Sequence, residues 1–165
     1  MKFIIDTADS LQIKDKELTD LLEQVFVGGG FTEPELAATL FEATAVRNRG
    51  ILMGAREKQG LMLAGMVIIV PPGSPARRLA QGNEAEMHLL GVKTDYRMHG
   101  LGKLLVAAAI DTSKQSGYEK IILWTQPGMK PAQKLYEASG FIRSIEKDFR
   151  KNDRDFRVYE KDISA

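Results

Sequence analysis

Glu86-Met-His-Leu-Leu-Gly-Val92 and, after four intervening residues, Arg97-Met-His-Gly-Leu-Gly102 decide the reading of this chain. The first run belongs to a predicted strand over about 84–94. Alternation puts Glu86, His88 and Leu90 on one face and Met87 and Leu89 on the other. The second run opens a helix that is predicted to bury Leu101, Leu104, Leu105, Ala108 and Thr112 and to stop at Gly117. A strand that passes through glycines into a helix start exposes unpaired N–H groups and the positive end of the helix dipole. Such a junction suits a phosphate or pyrophosphate, and Arg97 adds a cation at its rim. Two familiar glycine signatures do not fit. A P-loop needs Gly where Arg97 stands, and a dinucleotide fingerprint needs a third Gly where Leu105 stands.

Upstream, Phe3-Ile-Ile5 reads as a first strand, and Leu18, Leu21, Leu22, Val25 and Phe26 as the stripe of a helix over about 15–26. Gly28-Gly-Gly30 interrupts the chain. Thr32-Glu-Pro-Glu35 then has the form of a helix start, with Thr32 as N-cap, for a helix continuing to about Arg47. Ile51–Glu57 and Leu61–Val70 read as an antiparallel hairpin, and 71–83 as a loop. Further on, Lys120–Thr125 reads as a buried strand and Pro131–Ser139 as a short helix. Phe141–Phe149 with Phe156–Ile163 reads as a closing hairpin. The order β-α-α-β-β-β-α-β-α-β-β predicts one domain over 1–165 of the α/β (α+β mixed) class. Its central sheet is mixed and mostly antiparallel, flanked by helices.

Composition narrows the chemistry. Of 165 residues, 44% are hydrophobic and 27% charged, and the net charge of +1 gives no basis for binding nucleic acid or an anionic membrane. No cysteine is present, which removes thiol catalysis, thiolate metal sites and disulfides. With His88 and His99 the only histidines, no metal site is expected. The start, Met-Lys-Phe-Ile-Ile-Asp, lacks the apolar length of a signal peptide, and Leu61–Val70 is about half a membrane span, so a cytoplasmic location is expected.

The junction Arg97-x-x-Gly100-x-Gly102 and a later run, Ala132-Gln-Lys-Leu135-Tyr136-Glu-Ala-Ser-Gly140-Phe141, together resemble the GNAT acyltransferase superfamily. Its members carry Gln or Arg, two residues, Gly, one residue, then Gly or Ala at this junction. Beyond an intervening strand they carry a helix of the form Ala-x-x-Leu-Tyr-x-x-x-Gly-Phe. Both signatures are complete here, and the element order covers the whole chain. The resemblance implies the GNAT acyltransferase fold and acetyl-CoA as cosubstrate, with no metal. It implies that N–H groups of Met98, His99, Gly100, Leu101, Gly102 and Lys103, with Arg97 beside them, cradle the pyrophosphate. Leu90, Gly91 and Val92 would pair with the pantetheine amides, the N–H near Leu90 facing the thioester oxygen. Gly91 is a candidate for a bulge. Gln126 and Lys134 are candidates for the cofactor's other side, although many members have Asn near position 126.

Two catalytic residues follow from the same resemblance. Tyr136 would act as general acid toward the leaving thiolate, since a phenol (pKa about 10) and a thiol (about 8.5) are not far mismatched. Glu86 stands six residues before the valine that ends the central strand, where some members hold the base that takes the amine's proton. His88, on the same face, is an alternative base.

The expected activity is acetyl transfer from acetyl-CoA to a primary amine, that of a small molecule in preference, by direct attack in a ternary complex, since no cysteine can carry the acyl group. The alternatives are a protein Nα or Lys acetyltransferase and a non-catalytic acyl-CoA-binding sensor or interaction module. A succinyl donor would need a cation at the thioester end, and sequence does not place Arg47, Arg49 or Arg143. Gly28–Gly30 with Phe31, and Arg77 with Arg78, are candidate walls of the acceptor pocket. The terminal strand Phe156–Ile163, read as an edge, suggests a homodimer.

Overall fold

Leu63–Val70 is buried along its whole length, with Leu63, Met66, Ile68 and Val70 in one apolar cluster and Ala64, Val67 and Ile69 in another. A strand buried on both faces needs a layer of helix on each side. The computed structural model describes residues 1–164. Among them the strands are β1 (Phe3–Thr7), β2 (Ile51–Glu57), β3 (Leu63–Val70), β4 (Glu84–Val92), β5 (Lys120–Thr125), β6 (Ile142–Arg143), β7 (Phe149–Lys151) and β8 (Arg154–Asp162). The helices are α1 (Asp15–Leu22), α2 (Pro34–Leu40), α3 (Ala43–Arg47), α4 (Leu101–Gln115) and α5 (Lys130–Ala138). The sheet order is β1-β2-β3-β4-β5-β8-β6, with β7 paired to β8. Among the described residues β4–β5 is the one parallel pair. Leu101, Leu105 and Val106 of α4 and Tyr136 of α5 pack against one face, and Leu18, Leu21 and Leu22 of α1 against the other.

The structure departs from the sequence reading where local chemistry competes. The first helix continues past α1 as a π-helical turn over Glu23–Val27. The helix expected from Thr32 to Arg47 is two helices, and Thr32 caps neither. Glu33 is the extended residue before α2, and Pro34 takes the first position. Glu42 then breaks the run. Its backbone is extended (ψ 132°), and its carboxylate accepts from the N–H groups of Thr44 (3.0 Å) and Ala45 (2.9 Å), starting α3 afresh. In α4 the buried stripe is rotated by about one position. Val106, Ala109 and Ile110 join Leu101 and Leu105 inside, while Leu104 is 47% exposed.

The C-terminal hairpin also differs. The expected strand Phe141–Phe149 breaks into β6, a 3-10 turn (Ile145–Lys147) and β7. Asn152 and Asp153, both at positive φ (51° and 61°), form the two-residue turn into β8, as a type I′ hairpin requires. β8 lies inside the sheet between β5 and β6, so it is not the free edge that suggested dimerisation. No helix among the described residues is long and apolar enough to cross a membrane.

Arg56 on β2 fixes the start of α1. Its guanidinium donates to Glu17 through Nη1 (2.7 Å) and Nη2 (2.9 Å), and to the carbonyls of Leu11 (2.9 Å), Gln12 (3.2 Å) and Leu61 (2.9 Å). Glu17 also accepts from Lys14 N–H (3.0 Å), the one half of a capping box that a Lys at the N-cap allows. The Arg56 bond holds the Glu17 carboxyl down at about 2, against the opposing effect of burial. Arg56→Met should cost about 3 kcal/mol and lower Tm by roughly 6–12 °C in a thermal melt. Because the pKa of Glu17 is depressed on folding, its contribution is present above about pH 4.5 and is lost as pH falls toward 2. Glu17→Gln should therefore flatten that acid limb in denaturant titrations run across the window.

Candidate active site

β4 and β5 pair at Glu84, Ala85 and Glu86 and then part, although β4 runs on to Val92 and β5 to Thr125. On its other side β4 keeps β3, but the register slips. Ile68 faces His88 and Met66 faces Gly91, so β4 carries one extra residue. Leu89 absorbs it at φ 53°, a conformation that costs an L-residue about 1–2 kcal/mol. The bulge is therefore at Leu89 rather than Gly91, and it reverses the alternation. Leu90 and Val92 pack with Met87, while Leu89 packs in the cluster of Leu21 and Leu22. The expected pairing of Leu90 with the face of Glu86 and His88 fails for this reason. At Gly91 the need is for room: a Cβ there would come within 3.3 Å of Leu21.

Beyond β4 the chain makes a 3-10 turn (Thr94–Tyr96) and enters the glycine junction. Arg97 Nε donates to the carbonyl of Val92 (3.2 Å), closing the loop on its own strand. Gly100 caps α4 at φ 75°, where a Cβ would meet nothing within 4 Å. Leu104 is the first residue whose N–H bonds back into the helix, to Gly100 (3.1 Å). Among the described residues, the N–H groups of Met98 to Lys103 donate to no backbone carbonyl. Met98, His99 and Gly100 are exposed, whereas the side chain of Leu101 is buried, so Leu101 can meet a ligand through its backbone alone. Gly102 lets α5 approach, since a Cβ there would lie 3.0 Å from Leu135.

Where β4 leaves β5 there is a cavity of about 410 Å³, lined by residues including His88, Leu90, Trp124, Thr125 and Tyr136. Tyr136 packs edge-on to Phe141 and beside Tyr159, and burial pushes its phenol pKa up. Its ring is thus a neutral hydrogen-bond donor through the physiological range.

Glu86 does not line this cavity. Its carboxylate is wholly buried, with Oε2 accepting from the N–H groups of Arg78 (2.8 Å), Leu79 (2.6 Å) and Ala80 (2.8 Å). Oε1 lies 2.8 Å from His88 Nε2. Burial pushes the Glu86 pKa up, but the His88 bond and the three N–H donors outweigh it and hold the carboxyl below its ordinary value. His88 presents its other nitrogen, Nδ1, to Arg49 Nη1 (3.3 Å). A carboxylate can only accept and a guanidinium can only donate, so these two partners fix the neutral tautomer with the proton on Nε2. Burial is the main reason that the His88 pKa is lowered; Glu86 opposes the shift, and the charges of Arg49 and Arg78 add to it.

Of the other predicted residues, Gln126 spends its amide within the protein. Nε2 donates to Phe31 O (2.7 Å), and Oε1 accepts from Arg154 (3.1 Å). Arg97, Lys103 and Lys134 are exposed and lie outside the cavity. Phe31 and Arg78 are cavity walls, but Arg77 turns away to the carbonyls of Gly82 (2.6 Å) and Glu84 (3.1 Å). Arg49 lines the cavity, whereas Arg47 is held by Asp15 and Arg143 by Asp148. Sequence reading missed Trp124, Phe149, Phe156 and Arg154, which reach the cavity from β5 and the C-terminal hairpin.

A sheet parted beside its central strand, with a free helix N-terminus following that strand and a buried phenol and imidazole in the gap, defines an acyltransferase fold. The profile of the Acetyltransferase (GNAT) family matches residues 16–141, and the chain belongs to that family. Its fold is similar to that of a GNAT-family acetyltransferase from Staphylococcus aureus, with TM-score 0.76 and 18% identity over 98% of this chain and 99% of that one. It is also similar to a Bacillus subtilis acetyltransferase in complex with CoA, with TM-score 0.68 and 22% identity over 98% and 99%. In sequence it is 36% identical over 92 residues to an uncharacterized N-acetyltransferase of Schizosaccharomyces pombe, 56% of this chain and 52% of that protein. The match thus spans about half of that relative's length.

Followed by NMR, His88 should titrate below the ordinary value of about 6.5. Because the folded protein resists this protonation, the stability concerned is present above that ordinary value. It is lost as pH falls through the lower folded pKa. Glu86→Gln removes the partner that holds the pKa up, so the titration should move further down, with a loss of about 3 kcal/mol in denaturant unfolding. Titration of wild-type His88 above the ordinary value would contradict the neutral tautomer.

Proposed function

We propose that this chain transfers the acetyl group of acetyl-CoA to the primary amine of a small molecule, by direct attack with both substrates bound. One observation carries the reading: the cavity with Tyr136 and His88 opens where β4 leaves β5, and β4 leads from there into the open N–H row at Met98–Lys103. That layout suits a long ligand with an anionic end and a reactive end. The fold shared with a CoA-bound acetyltransferase supports CoA as the anionic partner. A cavity of about 410 Å³ is in the range of small-ligand pockets, which supports a small acceptor.

In this reading the N–H groups of Met98 to Lys103 hold the pyrophosphate, with Arg97 bracing the loop and Lys103 and Lys134 as exposed cations nearby. The edge of β4 that β5 leaves unpaired, at Leu90, Gly91 and Val92, receives the pantetheine amides, and an N–H there stabilises charge on the thioester oxygen. As the acceptor nitrogen bonds to the acyl carbon, the carbon–sulfur bond breaks and Tyr136 donates to the departing sulfur. Burial raises the pKa of phenol and thiol alike, so their match survives. His88 takes the proton that the nitrogen releases, directly or through water, on Nδ1, which Arg49 Nη1 must first give up. Glu86 acts through His88, fixing its tautomer, and Gln126 shapes the wall.

The test is thiol release from acetyl-CoA against a panel of amines and of peptides with free N-termini. Turnover with small amines is expected. Tyr136→Phe should lower kcat about a hundredfold with CoA affinity kept. Gly102→Val, by pushing Leu135 away, should weaken CoA binding about tenfold in calorimetry. CoA binding without turnover on any acceptor would overturn the enzyme reading in favour of a sensor, and turnover on peptides alone would move the acceptor to protein α-amines.

A further inference from the structure

Arg49 and Arg78 both line the cavity, and among the described residues neither has a carboxylate within ion-pairing distance. Arg49 is half-buried, and a guanidinium withdrawn from water is ordinarily paired; Arg78 is exposed and borders the same cavity. Arg49 spends Nη1 on His88 (3.3 Å) and Nη2 on the carbonyl of Leu40 (3.3 Å). Of its five N–H donors, three have no partner among the described residues. The Arg78 side chain makes no hydrogen bond among the described residues. Its guanidinium carbon lies in an aromatic corner, 5.9 Å from the centroid of the Trp124 ring and 5.4 Å from that of Phe149. The one carboxylate on the cavity wall, Glu33, is already held by Arg154 (2.6 Å), and Glu86 is sealed behind His88. Among the described residues the cavity therefore presents two guanidinium groups without a carboxylate partner, with the exposed Lys151 as a further unpaired cation on its lining. The pyrophosphate has its own donors on α4, so these two arginines are left for a different anion.

We propose that Arg49 and Arg78 form a carboxylate-binding subsite, and that the acceptor is an amine that carries a carboxylate and an aromatic or apolar body, as a free amino acid does. Arg49 supplies the planar donor pair that a carboxylate matches. Trp124 and Phe149 receive the apolar body. The acceptor assignment rests on the acetyltransferase reading above; the subsite itself does not. A carboxylate on the acyl donor, as in succinyl-CoA, has the same chemistry and is separated from the acceptor's carboxylate by the test.

The test uses L-phenylalanine and L-phenylalaninamide as matched probes on the whole chain with CoA present. Trp124 is the single tryptophan, so its fluorescence reports occupancy without requiring turnover. Phenylalanine should bind about tenfold to a hundredfold more tightly than its amide. With acetyl-CoA, kcat/KM should show the same preference, residing in KM. Arg49→Gln should erase the preference, and Arg78→Gln should reduce it. Because the Arg78 side chain anchors nothing by hydrogen bonding, that variant tests the subsite even where Arg49→Gln fails to fold. Equal binding of acid and amide by wild type, or a preference that survives both substitutions, would overturn the subsite. An Arg49→Gln variant that slows acid and amide equally would overturn it too, by giving Arg49 a role at the thioester. A preference for succinyl-CoA over acetyl-CoA that Arg49→Gln abolishes would keep the subsite but overturn the acceptor assignment. Selective binding of the acid without turnover would uphold the subsite while the acetyltransferase reading falls.

Discussion

Glu86 stands on the last rung between β4 and β5, and its buried carboxylate organises what lies around it. Taking a carboxylate out of water costs several kcal/mol unless its lone pairs are answered. Here they are answered from two directions. Three consecutive N–H groups come from the Arg78–Ala80 loop, and the fourth donor is the His88 ring. One group thus fixes a loop that carries a cation to the cavity, a strand end and the tautomer of an imidazole. An apolar residue of similar size would leave three backbone donors unsatisfied in the interior.

Immediately past that rung the sheet stops behaving as a sheet. The ladder to β5 ends, and Leu89 takes up an extra residue against β3. The consequence is a change of sides. The residues of β4 that precede the bulge and those that follow it are out of phase, so Leu90 and Val92 are packed toward α4 while Leu89 faces α1. The cavity forms between these two apolar clusters. Tyr136 reaches it from the α5 side and His88 from the strand, so the proposed acid and base approach from different elements, each set by its own packing.

The parts legible in the sequence are those whose signal is local. The glycine-bearing start of α4, its free N–H row and the helix of the Ala132–Phe141 signature depend on nearest neighbours, and they stand where they were read. β3 declared itself by an unbroken apolar run. What was not legible depends on partners distant in the chain. Nothing at Leu89 marks a bulge, since the residue is neither Gly nor Asn; the slip is set by how β3 and β4 must meet. Glu42 reads as an ordinary helix residue until its carboxylate is seen to turn back on Thr44 and Ala45. Alternation placed Glu86 and His88 on one face correctly, but could not tell which of them meets the cavity. That is decided by the Arg78–Ala80 loop, a stretch with no periodicity to read.

The burial of Glu86 also bears on how an amine is readied for attack. A carboxylate open to the cavity would stabilise an entering ammonium and keep it unreactive. Set behind His88, the negative charge is answered within the protein, and the cavity lining holds an imidazole kept neutral, the cations Arg49, Arg78 and Lys151, and Arg154 paired with Glu33. On the proposed reading, positive charge along the cavity disfavours the ammonium form of an entering amine and favours the free amine. The charges of Arg49 and Arg78 act on His88 in the same sense, which is part of why its pKa is lowered. On that reading a weakly basic imidazole suffices as the base, because the same positive charge lowers the amine's affinity for the proton.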